Sequence, residues 1–314
     1  MILVTGCTGY LGFHICEHLK TKKIPFFGID NFSRSSVKNI IDKRKFLKID
    51  ISSKELPKLL KQKKITTIIH AAAYSFPPES EDNKKKYYKN NILKKKMFID
   101  YCHKINIKKF IFFSSSNVYN FNTNKINSVK ESQKLFPKNY YGQTKLIIER
   151  YLNKKFETCC ILRLFNIAGY INNSHFYEFK NKHRRILPVI NEAFRKKLTF
   201  KINLIESKGK PVFPARDFVH IKDFLKIILI LLRKQTANNL ILNVGNNKLI
   251  YLDEIINVFE KKLKKKINFK KAISSKGNLN YTLCNNTKIK RKFNFKFKFD
   301  LSEIVKSCIN KKII

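Results

Sequence analysis

The stretch that most constrains the fold is TGCTGYLG at residues 5–12, because it places three glycines directly after a short apolar run. Residues 2–4 are too few for a helix, whereas apolar side chains recur at helical spacing in FHICEHLK beyond Gly12. A glycine turn between a strand and a helix lets the backbone approach a phosphate closely, and the helix N-terminus attracts that anion. A plain tight turn is the alternative, but the position after a strand favours phosphate binding.

Strand and helix patterns alternate through the first half of the chain. Apolar runs that predict strands lie at 2–4, 24–30, 45–50, 66–73, 108–116 and 159–166, and patterns that predict helices lie at 88–102 and 140–152. Such alternation is typical of a parallel sheet with helices on both faces. The predicted fold class is therefore α/β, a doubly wound, Rossmann-like parallel sheet that binds ligands at the carboxyl ends of its strands.

An acidic residue ends the second predicted strand. Asp30 occupies the position at which a dinucleotide-binding fold holds the adenosine ribose hydroxyls. A carboxylate there repels a 2′-phosphate and so favours NAD over NADP. Arg34, slightly further on, indicates the opposite preference, and an aspartate before NFSRSS also suits the cap of a turn. After this glycine turn we predict NAD as the cofactor.

The second half of the chain is less regular. Its patterns predict helices at 188–197 and 252–263, a strand at 242–246, and a strand that runs into a helix within 215–224. We interpret residues 1–166 as an NAD-binding Rossmann-like domain, to which residues 211–246 return. Residues 167–210 and 247–314 would form a smaller α/β substrate-binding domain over the carboxyl ends of the strands.

A tyrosine and a lysine are spaced to share one face of the predicted helix at 140–152, since Tyr141 and Lys145 stand one turn apart. A free tyrosine, with a pKa of about 10, is a poor base at neutral pH, but a neighbouring ammonium and an oxidised nicotinamide both favour the phenolate. Tyr141 would then accept a proton from a sugar or alcohol hydroxyl while hydride leaves the adjacent carbon. Chance spacing in a lysine-rich chain is the alternative, but the serines at 114–116, directly after a strand, favour a functional pair.

The chain is strongly basic, with 66 Lys and Arg against 22 Asp and Glu and a formal net charge of +44. An excess of Lys and Arg suits nucleic-acid binding when these residues are clustered, because they then neutralise the phosphates of the backbone. Here, however, the lysines are dispersed along the chain, and Lys, Asn, Ile and Phe are abundant together while Trp is absent. Because the abundant residues have A/T-rich codons, biased composition explains the charge better, and we predict no nucleic-acid partner. The positive surface would still attract an anionic substrate at low salt.

Other features of the sequence predict a cytoplasmic location away from membranes. The apolar stretch at residues 224–232 is too short to span a bilayer and contains Lys226. The first strand begins at residue 2, which leaves no room for a signal peptide. The seven cysteines form an odd set without a C-x-x-C pair, so we predict neither a disulfide framework nor a metal site.

Beyond these separate signals, a series of motifs occurs in a recognisable order. In chain order they are TGCTGYLG, DN at 30–31, HAAA at 70–73, YYKNN at 87–91, SSSNVY at 114–119, YYGQTK at 140–145, LRLFNIAG at 162–169 and ARDFVH at 215–220. With these motifs the chain resembles the extended short-chain dehydrogenase/reductases, and within that superfamily it looks most like the UDP-glucose (UDP-galactose) 4-epimerases. The resemblance covers nearly the whole chain and is strongest over 1–170 and 211–224.

The resemblance implies a set of contacts with NAD. The glycine turn would contact the pyrophosphate, Asp30 and Asn31 the adenosine ribose, and Asp50 and Ile51 the adenine. In full, the implied cofactor-binding residues are Gly6, Gly9, Tyr10, Leu11, Gly12, Asp30, Asn31, Asp50, Ile51, Ala71, Ala72, Ala73, Asn91, Tyr141, Lys145 and Phe165.

The resemblance also implies the catalytic and substrate-binding residues. Tyr141 would be the base and Lys145 its ribose-binding partner, and the serine anchor would be Ser115 or Ser116, depending on the alignment. The UDP-sugar would be bound by Ser115, Tyr141, Asn166, Arg216 and Thr282.

The activity implied by the resemblance is NAD-dependent 4-epimerisation of a UDP-hexose. The base removes the 4-hydroxyl proton, hydride passes to NAD and returns to the other face of a 4-keto sugar, and NAD stays bound. Epimerases of UDP-N-acetylhexosamines or UDP-uronates are the alternative, and a non-catalytic nucleotide- or nucleic-acid-binding protein is a more distant one. The sister 4,6-dehydratases carry acids after the serine cluster, where this chain has Asn117 and Val118. The family further implies a homodimer through helices that include 88–102 and 141–152.

Some positions depart from the epimerase pattern. Ser75 stands where the pattern has a lysine, and Ser275 with Lys276 where it has a diphosphate-binding arginine. Asn203 replaces an aromatic residue expected against the uracil. Thr282 is smaller than the tyrosine found in some members, which would admit N-acetylated sugars. These departures leave the oxidation machinery intact and concern the nucleotide sugar.

Overall fold

The computed structural model describes residues 1–121, 126–171, 185–207, 210–234, 238–273 and 281–309. Its strands are β1 (Ile2–Thr5), β2 (Phe26–Asp30), β3 (Phe46–Lys48), β4 (Thr67–His70), β5 (Lys109–Ser115), β6 (Ser128–Val129), β7 (Cys159–Leu164), β8 (Asn166–Ala168), β9 (Phe200–Ser207), β10 (Lys210–Val212), β11 (Ala215–His220), β12 (Leu240–Val244), β13 (Leu249–Tyr251), β14 (Phe269–Ile273) and β15 (Tyr281–Cys284).

The helices of the same residues are α1 (Tyr10–Thr21), α2 (Leu56–Gln62), α3 (Pro77–Asp82), α4 (Lys84–Tyr87), α5 (Lys94–Lys104), α6 (Tyr140–Lys155), α7 (Ile186–Arg195), α8 (Ile221–Arg233), α9 (Leu252–Leu263), α10 (Thr287–Phe293) and α11 (Leu301–Ile309). A π-helical segment, Tyr88–Leu93, joins α4 to α5. The predicted helix at 88–102 therefore begins earlier and contains an irregular turn, a feature that is frequent at functional sites.

A parallel sheet of seven described strands forms the centre of the molecule, in the order β12-β7-β5-β4-β1-β2-β3. Each neighbouring pair is parallel. The chain moves outwards in one direction from β1 and in the other direction from β4, so the loops after these two strands diverge and leave a crevice. The predicted doubly wound, Rossmann-like fold is confirmed.

Helices cover both faces of this sheet. In β1, Leu3 packs with α2, α5 and α6 on one face, whereas Val4 packs with α1 and α8 on the other. Strands that are buried on both faces need apolar residues at every position, which is why they appear in the sequence as continuous runs.

The second half of the chain, together with β6 from the first half, builds two smaller sheets. One has the order β10-β9-β14, and the other has the order β13-β11-β15-β6, with β8 paired to β11. Side chains of α7, α9 and α11 share a second core with them. Ile289 and Phe295, by contrast, pack in the core of the large sheet. The division into domains at 166, 211 and 246 stays a prediction.

A buried aspartate holds the smaller sheet against the end of the large one. The carboxylate of Asp217 in β11 accepts the backbone N–H groups of Asn246 at 2.6 Å, Asn247 at 2.9 Å and Cys284 at 3.1 Å. Burial raises the pKa of this carboxyl to about 7, although these hydrogen bonds oppose the rise. Asp217 therefore joins β11, the turn after β12 and β15 in one place.

The remaining general features concern cysteines, metals and membranes. All seven cysteines are free and buried. Within the described ranges, no group of three or more His, Cys, Asp or Glu side chains is placed to hold a metal ion. No described helix combines the length and the apolar character that crossing a bilayer requires.

Candidate active site

The glycine turn lies where β1 ends, in direct contact with the loop after β4. Gly6 has a φ of +65°, and a Cβ added to it would lie 2.7 Å from the backbone nitrogen of Ala72. Only glycine adopts that backbone conformation without strain and tolerates that contact. The turn and the loop at 71–73 thus form one continuous backbone surface at the switch point of the sheet.

A cavity of about 540 Å³ opens beside this surface. It is lined by the glycine turn, residues 113–117 after β5, Tyr141 and Lys145 of α6, residues 164–170, and residues 185–188 at the start of α7. A smaller cavity of about 80 Å³ lies next to it and is lined by Asp30, Asn31, Asp50, Ile51 and Ala72, among others. Because the glycine turn, Arg34, Ser35 and Ala71 border both, the two form one elongated cleft.

The predicted cofactor-binding residues line this cleft, with one exception. Asn91 is fully buried behind it, and its side chain donates to the carbonyl of Tyr74 at 2.9 Å and accepts the N–H of Tyr74 at 3.0 Å. Asn91 therefore supports the loop at 71–75 from behind. The glycine surface, the elongated shape and the acidic end at Asp30 and Asp50 fit a dinucleotide.

Both carboxylates at the acidic end of the cleft are held by hydrogen bonds. The Asp30 carboxylate accepts the N–H groups of Thr8 at 3.1 Å and Phe32 at 2.8 Å. The Asp50 carboxylate accepts hydrogen bonds from Asn31 at 2.7 Å and from Lys94 at 2.6 Å. Burial tends to raise the pKa of Asp50, but these and further hydrogen bonds lower it to about 2.

At the opposite end, α6 carries the predicted catalytic pair. The helix begins after Asn139, whose side chain accepts the N–H of Gly142 at 2.8 Å. A Cβ on Gly142 would lie 2.2 Å from the carbonyl oxygen of Asn117, so the glycine allows the helix to approach the turn after β5. This close approach places Tyr141 next to the serines at 114–116.

The structure distinguishes the three serines. The Ser114 hydroxyl donates to the carboxylate of Glu149. The Ser115 hydroxyl accepts hydrogen bonds from the backbone and side-chain nitrogens of Asn117, at 3.2 and 3.1 Å, and it hydrogen-bonds to Tyr141. Ser116 lines the cavity as well, but its described contact is the acceptance of the Tyr119 N–H by its carbonyl. Ser115 therefore has the geometry expected of the serine anchor.

Lys145 is almost completely buried, and its Nζ donates to the carbonyl oxygen of Phe113 at 2.6 Å. The same Nζ lies 5.6 Å from the centre of the Tyr141 ring. Burial lowers the pKa of Lys145 to about 7, although Glu149 opposes the change. The group is thus close to the point where it gains or loses its proton at neutral pH.

Burial raises the pKa of Tyr141 to about 12, and its hydrogen bond with Ser115 opposes that rise. The sequence-based expectation of a lowered tyrosine pKa is therefore not met by the protein's own groups, because desolvation outweighs them. A positive charge brought in by a ligand would act in the expected direction.

The predicted substrate-binding residues divide into two groups. Asn166 lines the large cavity, and its amide donates to the carbonyl of Asp217 at 3.1 Å. Arg216 and Thr282 do not line that cavity in the described residues; Thr282 is buried, and Arg216 donates to the carbonyl of Ala215 at 2.9 Å. Asn203 lies in β9, Ser75 lines the cavity, and Ser275 with Lys276 lies outside the described residues.

Two features of the site escaped the sequence reasoning. Arg185, directly before α7, lines the large cavity, and its guanidinium lies 3.2 Å from the centre of the Tyr10 ring. Lys95 of α5 is buried behind Lys145, and both amines face the ring of Phe112, at 5.8 and 5.0 Å from its centre. A lysine in KKK at 94–96 looks like a surface residue, so no sequence signal distinguished Lys95.

Known proteins resemble this chain over most of its length. The putative UDP-glucose 4-epimerase of Methanocaldococcus jannaschii is 27% identical, over 99% of this chain and 97% of that protein. The crystal structure of UDP-glucose 4-epimerase from Bifidobacterium longum in complex with NAD+ and UDP matches with a TM-score of 0.90 at 21% identity, over 98% of this chain and 97% of that one. UDP-N-acetylglucosamine 4-epimerase from Methanobrevibacter ruminantium matches with a TM-score of 0.83 at 24% identity, over 98% and 97%.

A protein-family model also matches most of the chain. The model of the NAD dependent epimerase/dehydratase family matches residues 2–245, which include the glycine turn, the serines and the tyrosine–lysine pair. The resemblance inferred from the motifs and the prediction of NAD are thereby confirmed. With a match over well more than half of its length, the chain belongs to the NAD dependent epimerase/dehydratase family.

Proposed function

We propose that this enzyme interconverts UDP-glucose and UDP-galactose by epimerisation at carbon 4 through a transient 4-keto sugar. The observation that carries the proposal is the convergence of Ser115, Tyr141 and Lys145 on one end of a cleft that fits a dinucleotide. The relatives named as UDP-glucose 4-epimerases match nearly the whole chain and support the same substrate class.

The charges along the cavity suit an anionic substrate. Among its described lining residues are Lys145 and Arg185, as well as Arg34, which is ion-paired with Glu79, and none is Asp or Glu. A diphosphate is recognised by guanidinium groups, which can donate two parallel hydrogen bonds. We assign the nucleotide end of the substrate to the side of Asn166 and Arg185, and Arg216 remains a predicted contact of the same group.

At the sugar end of the substrate, Tyr141, Ser115 and Lys145 would carry out the proton transfer. When bound, NAD accepts a hydride and returns it, and its oxidised ring carries a positive charge that favours the phenolate. Tyr141 removes the proton of the 4-hydroxyl, and Ser115, fixed by Asn117, donates towards the oxygen at which charge changes. The Lys145 ammonium stabilises the phenolate, and burial of all three groups excludes water while the keto sugar is present.

The same site argues against elimination of water from the sugar. A dehydratase needs an acid to protonate the leaving hydroxyl. Asn117 follows the serines, and its amide is bonded to Ser115 and, through its oxygen, to the side chain of Asn139 at 2.7 Å. With no carboxylate among the described lining residues, epimerisation is the better assignment.

The test is conversion of UDP-galactose by the purified protein, with detection of UDP-glucose. UDP-N-acetylgalactosamine and UDP-glucuronate are offered in parallel, since enzymes acting on these sugars are the alternative. Conversion of UDP-galactose at the highest kcat/KM supports the proposal. Faster conversion of UDP-N-acetylgalactosamine or UDP-glucuronate would make that nucleotide sugar the substrate. If none of the three is converted, the proposed function is wrong.

We also propose that the enzyme is a cytoplasmic homodimer. Tyr88, Leu93, Met97 and Ile147 are exposed by 46%, 43%, 41% and 36%, on the neighbouring segments predicted to form the interface. Contiguous exposed apolar side chains mark interaction surfaces. We expect light scattering to give the mass of a dimer, and Met97→Glu to give a monomer. A wild-type monomer would contradict the assignment.

A further inference from the structure

A partly buried ion pair lies beside the cleft, at the point where its two cavities meet. Arg34 lies in the loop after β2 and lines both cavities. Its Nη2 donates to both carboxylate oxygens of Glu79 in α3, at 2.6 Å for Oε2. The Glu79 side chain is only 10% exposed and that of Arg34 24%. The pair therefore joins the loop after β2 to α3, which follows β4 on the other side of the switch point.

Several neighbours hold the pair in place. The Arg34 guanidinium lies 4.7 Å from the centre of the Tyr74 ring. Glu79 also accepts hydrogen bonds from Lys86 at 3.1 Å and from the Tyr87 hydroxyl at 3.0 Å. Burial tends to raise the pKa of Glu79, but these hydrogen bonds lower it to about 2. The carboxylate is therefore ionised at neutral pH, and it neutralises one of the two cations beside it.

Arg34 and Asp30 make opposite demands on a cofactor. The Asp30 carboxylate is locked by the N–H groups of Thr8 and Phe32 and repels a 2′-phosphate. An arginine near such an aspartate is the group that accommodates a 2′-phosphate in enzymes that use NADP. The sequence alone leaves this conflict open, because Glu79 lies far from Arg34 along the chain. In the structure, the guanidinium is already occupied by a carboxylate.

We propose that Glu79 determines cofactor specificity by holding Arg34 in an ion pair, so that the guanidinium is not available to a 2′-phosphate. Glu79 is a positioning residue in this role, because it acts through Arg34. The inference concerns the cofactor alone and does not depend on which sugar is epimerised.

The decisive variant is Glu79→Gln, which keeps the shape of the side chain and removes its charge. Wild-type protein and variant are equilibrated with equal concentrations of NAD and NADP, the free nucleotides are removed, and the bound ones are released with acid and quantified. We expect the bound ratio of NADP to NAD to rise about tenfold in the variant, because the released guanidinium can donate a charge-assisted hydrogen bond to the 2′-phosphate. An unchanged ratio in a folded variant overturns the proposal.

Two controls distinguish an effect of the released Arg34 guanidinium from the effect of removing any negative charge. Asp82→Asn removes a carboxylate from the exposed end of the same helix, so its ratio should stay at the wild-type value. The double variant Glu79→Gln with Arg34→Met should lose the increase in NADP binding. An increase that also occurs with Asp82→Asn, or that persists in the double variant, refutes the role of Arg34. Bound NAD and the melting temperature of each variant report whether it is folded.

Discussion

The two ends of the cleft differ in how their ionisable side chains are stabilised. At the adenosine end, Asp50 is paired with Lys94 and Glu79 with Arg34, and hydrogen bonds lower the pKa of each carboxyl to about 2. At the catalytic end, burial lowers the pKa of Lys145 to about 7 and raises that of Tyr141 to about 12.

This difference corresponds to two different tasks. Paired charges keep their protonation states and a fixed geometry, which suits a surface that holds one cofactor throughout the reaction. Desolvated groups change protonation state easily when a charged ligand arrives, which suits proton transfer. One cleft thus contains a binding half and a chemical half, and variants of each half should fail in different ways.

The largest effect is expected at the chemical half. Tyr141→Phe removes the proton acceptor and should lower kcat at least about 1,000-fold, within the range for loss of general base catalysis. Bound NAD, measured by its absorbance after release, should remain at the wild-type level, because the adenosine half is unchanged. Residual turnover within tenfold of wild type would show that another group takes the proton.

The second largest effect is expected on the free energy of unfolding, at the buried Lys95. Lys95 is 1% exposed, its Nζ has no hydrogen-bond partner in the described part of the chain, and burial and the charge of Lys145 lower its pKa well below the usual value. Lys95→Met should therefore raise the free energy of unfolding at pH 7 by about 2 kcal/mol or more.

The pH dependence of that effect has a definite sign. Because the folded protein binds the Lys95 proton less tightly than the unfolded chain, the penalty is largest at low pH and fades as pH rises towards 10.5, the value of an unperturbed lysine. Denaturant unfolding should thus show the advantage of the variant shrinking between pH 7 and 10. Lys104→Met, exposed on the same helix, is the control and should show no such trend.

A smaller effect is expected for the cation at the nucleotide end. Arg185→Met should raise KM for the UDP-sugar about tenfold with little change in kcat, because a diphosphate contact is made equally in the ground and transition states. Arg195→Met removes the same charge from the other end of α7 and should leave KM unchanged. A lower kcat with an unchanged KM would show that Arg185 acts in the chemical step and not in substrate binding.

The smallest effect is expected for a half-exposed pair of the binding half. Lys94 and Asp50 are each 26% exposed and lie 2.6 Å apart, so Lys94→Met should weaken NAD binding no more than about fivefold. The contribution of Asp50 to stability is present above its unfolded pKa of 3.8 and is lost as pH falls towards 2. Equilibrium binding of NAD measures the first effect, and a loss of a hundredfold would show that the Lys94 side chain contacts NAD directly.

The sequence predicted the large sheet well and the smaller sheets poorly. The runs at 24–30, 108–116 and 159–166 correspond to β2, β5 and β7 because strands buried on both faces are apolar throughout. Strands such as β6, β10, β13 and β15 are two to four residues long, too short for a periodic pattern. Their positions follow from pairing with distant strands, β10 with β9, β13 and β15 with β11, and β6 with β15, which is a long-range property.

For the candidate site, the local motifs were sufficient to name the residues at both ends of the cleft. They were not sufficient to say how these residues are held. Asn91 supports a loop from behind, Ser115 is selected among three serines by Asn117, and Arg34 is occupied by Glu79. Each of these outcomes depends on a partner brought near by folding.

Local sequence patterns were enough to predict the doubly wound sheet, the glycine turn, the acidic residue after β2 and the spacing of Tyr141 and Lys145. These features depend on neighbours within a few positions, where periodicity and backbone conformation act directly. Which charges are paired and which are desolvated follows only from the folded chain. The reason is that Glu79, Lys95 and Arg185 contact Arg34, Phe112 and Tyr10, residues that are distant in sequence and come near only when the strands are assembled.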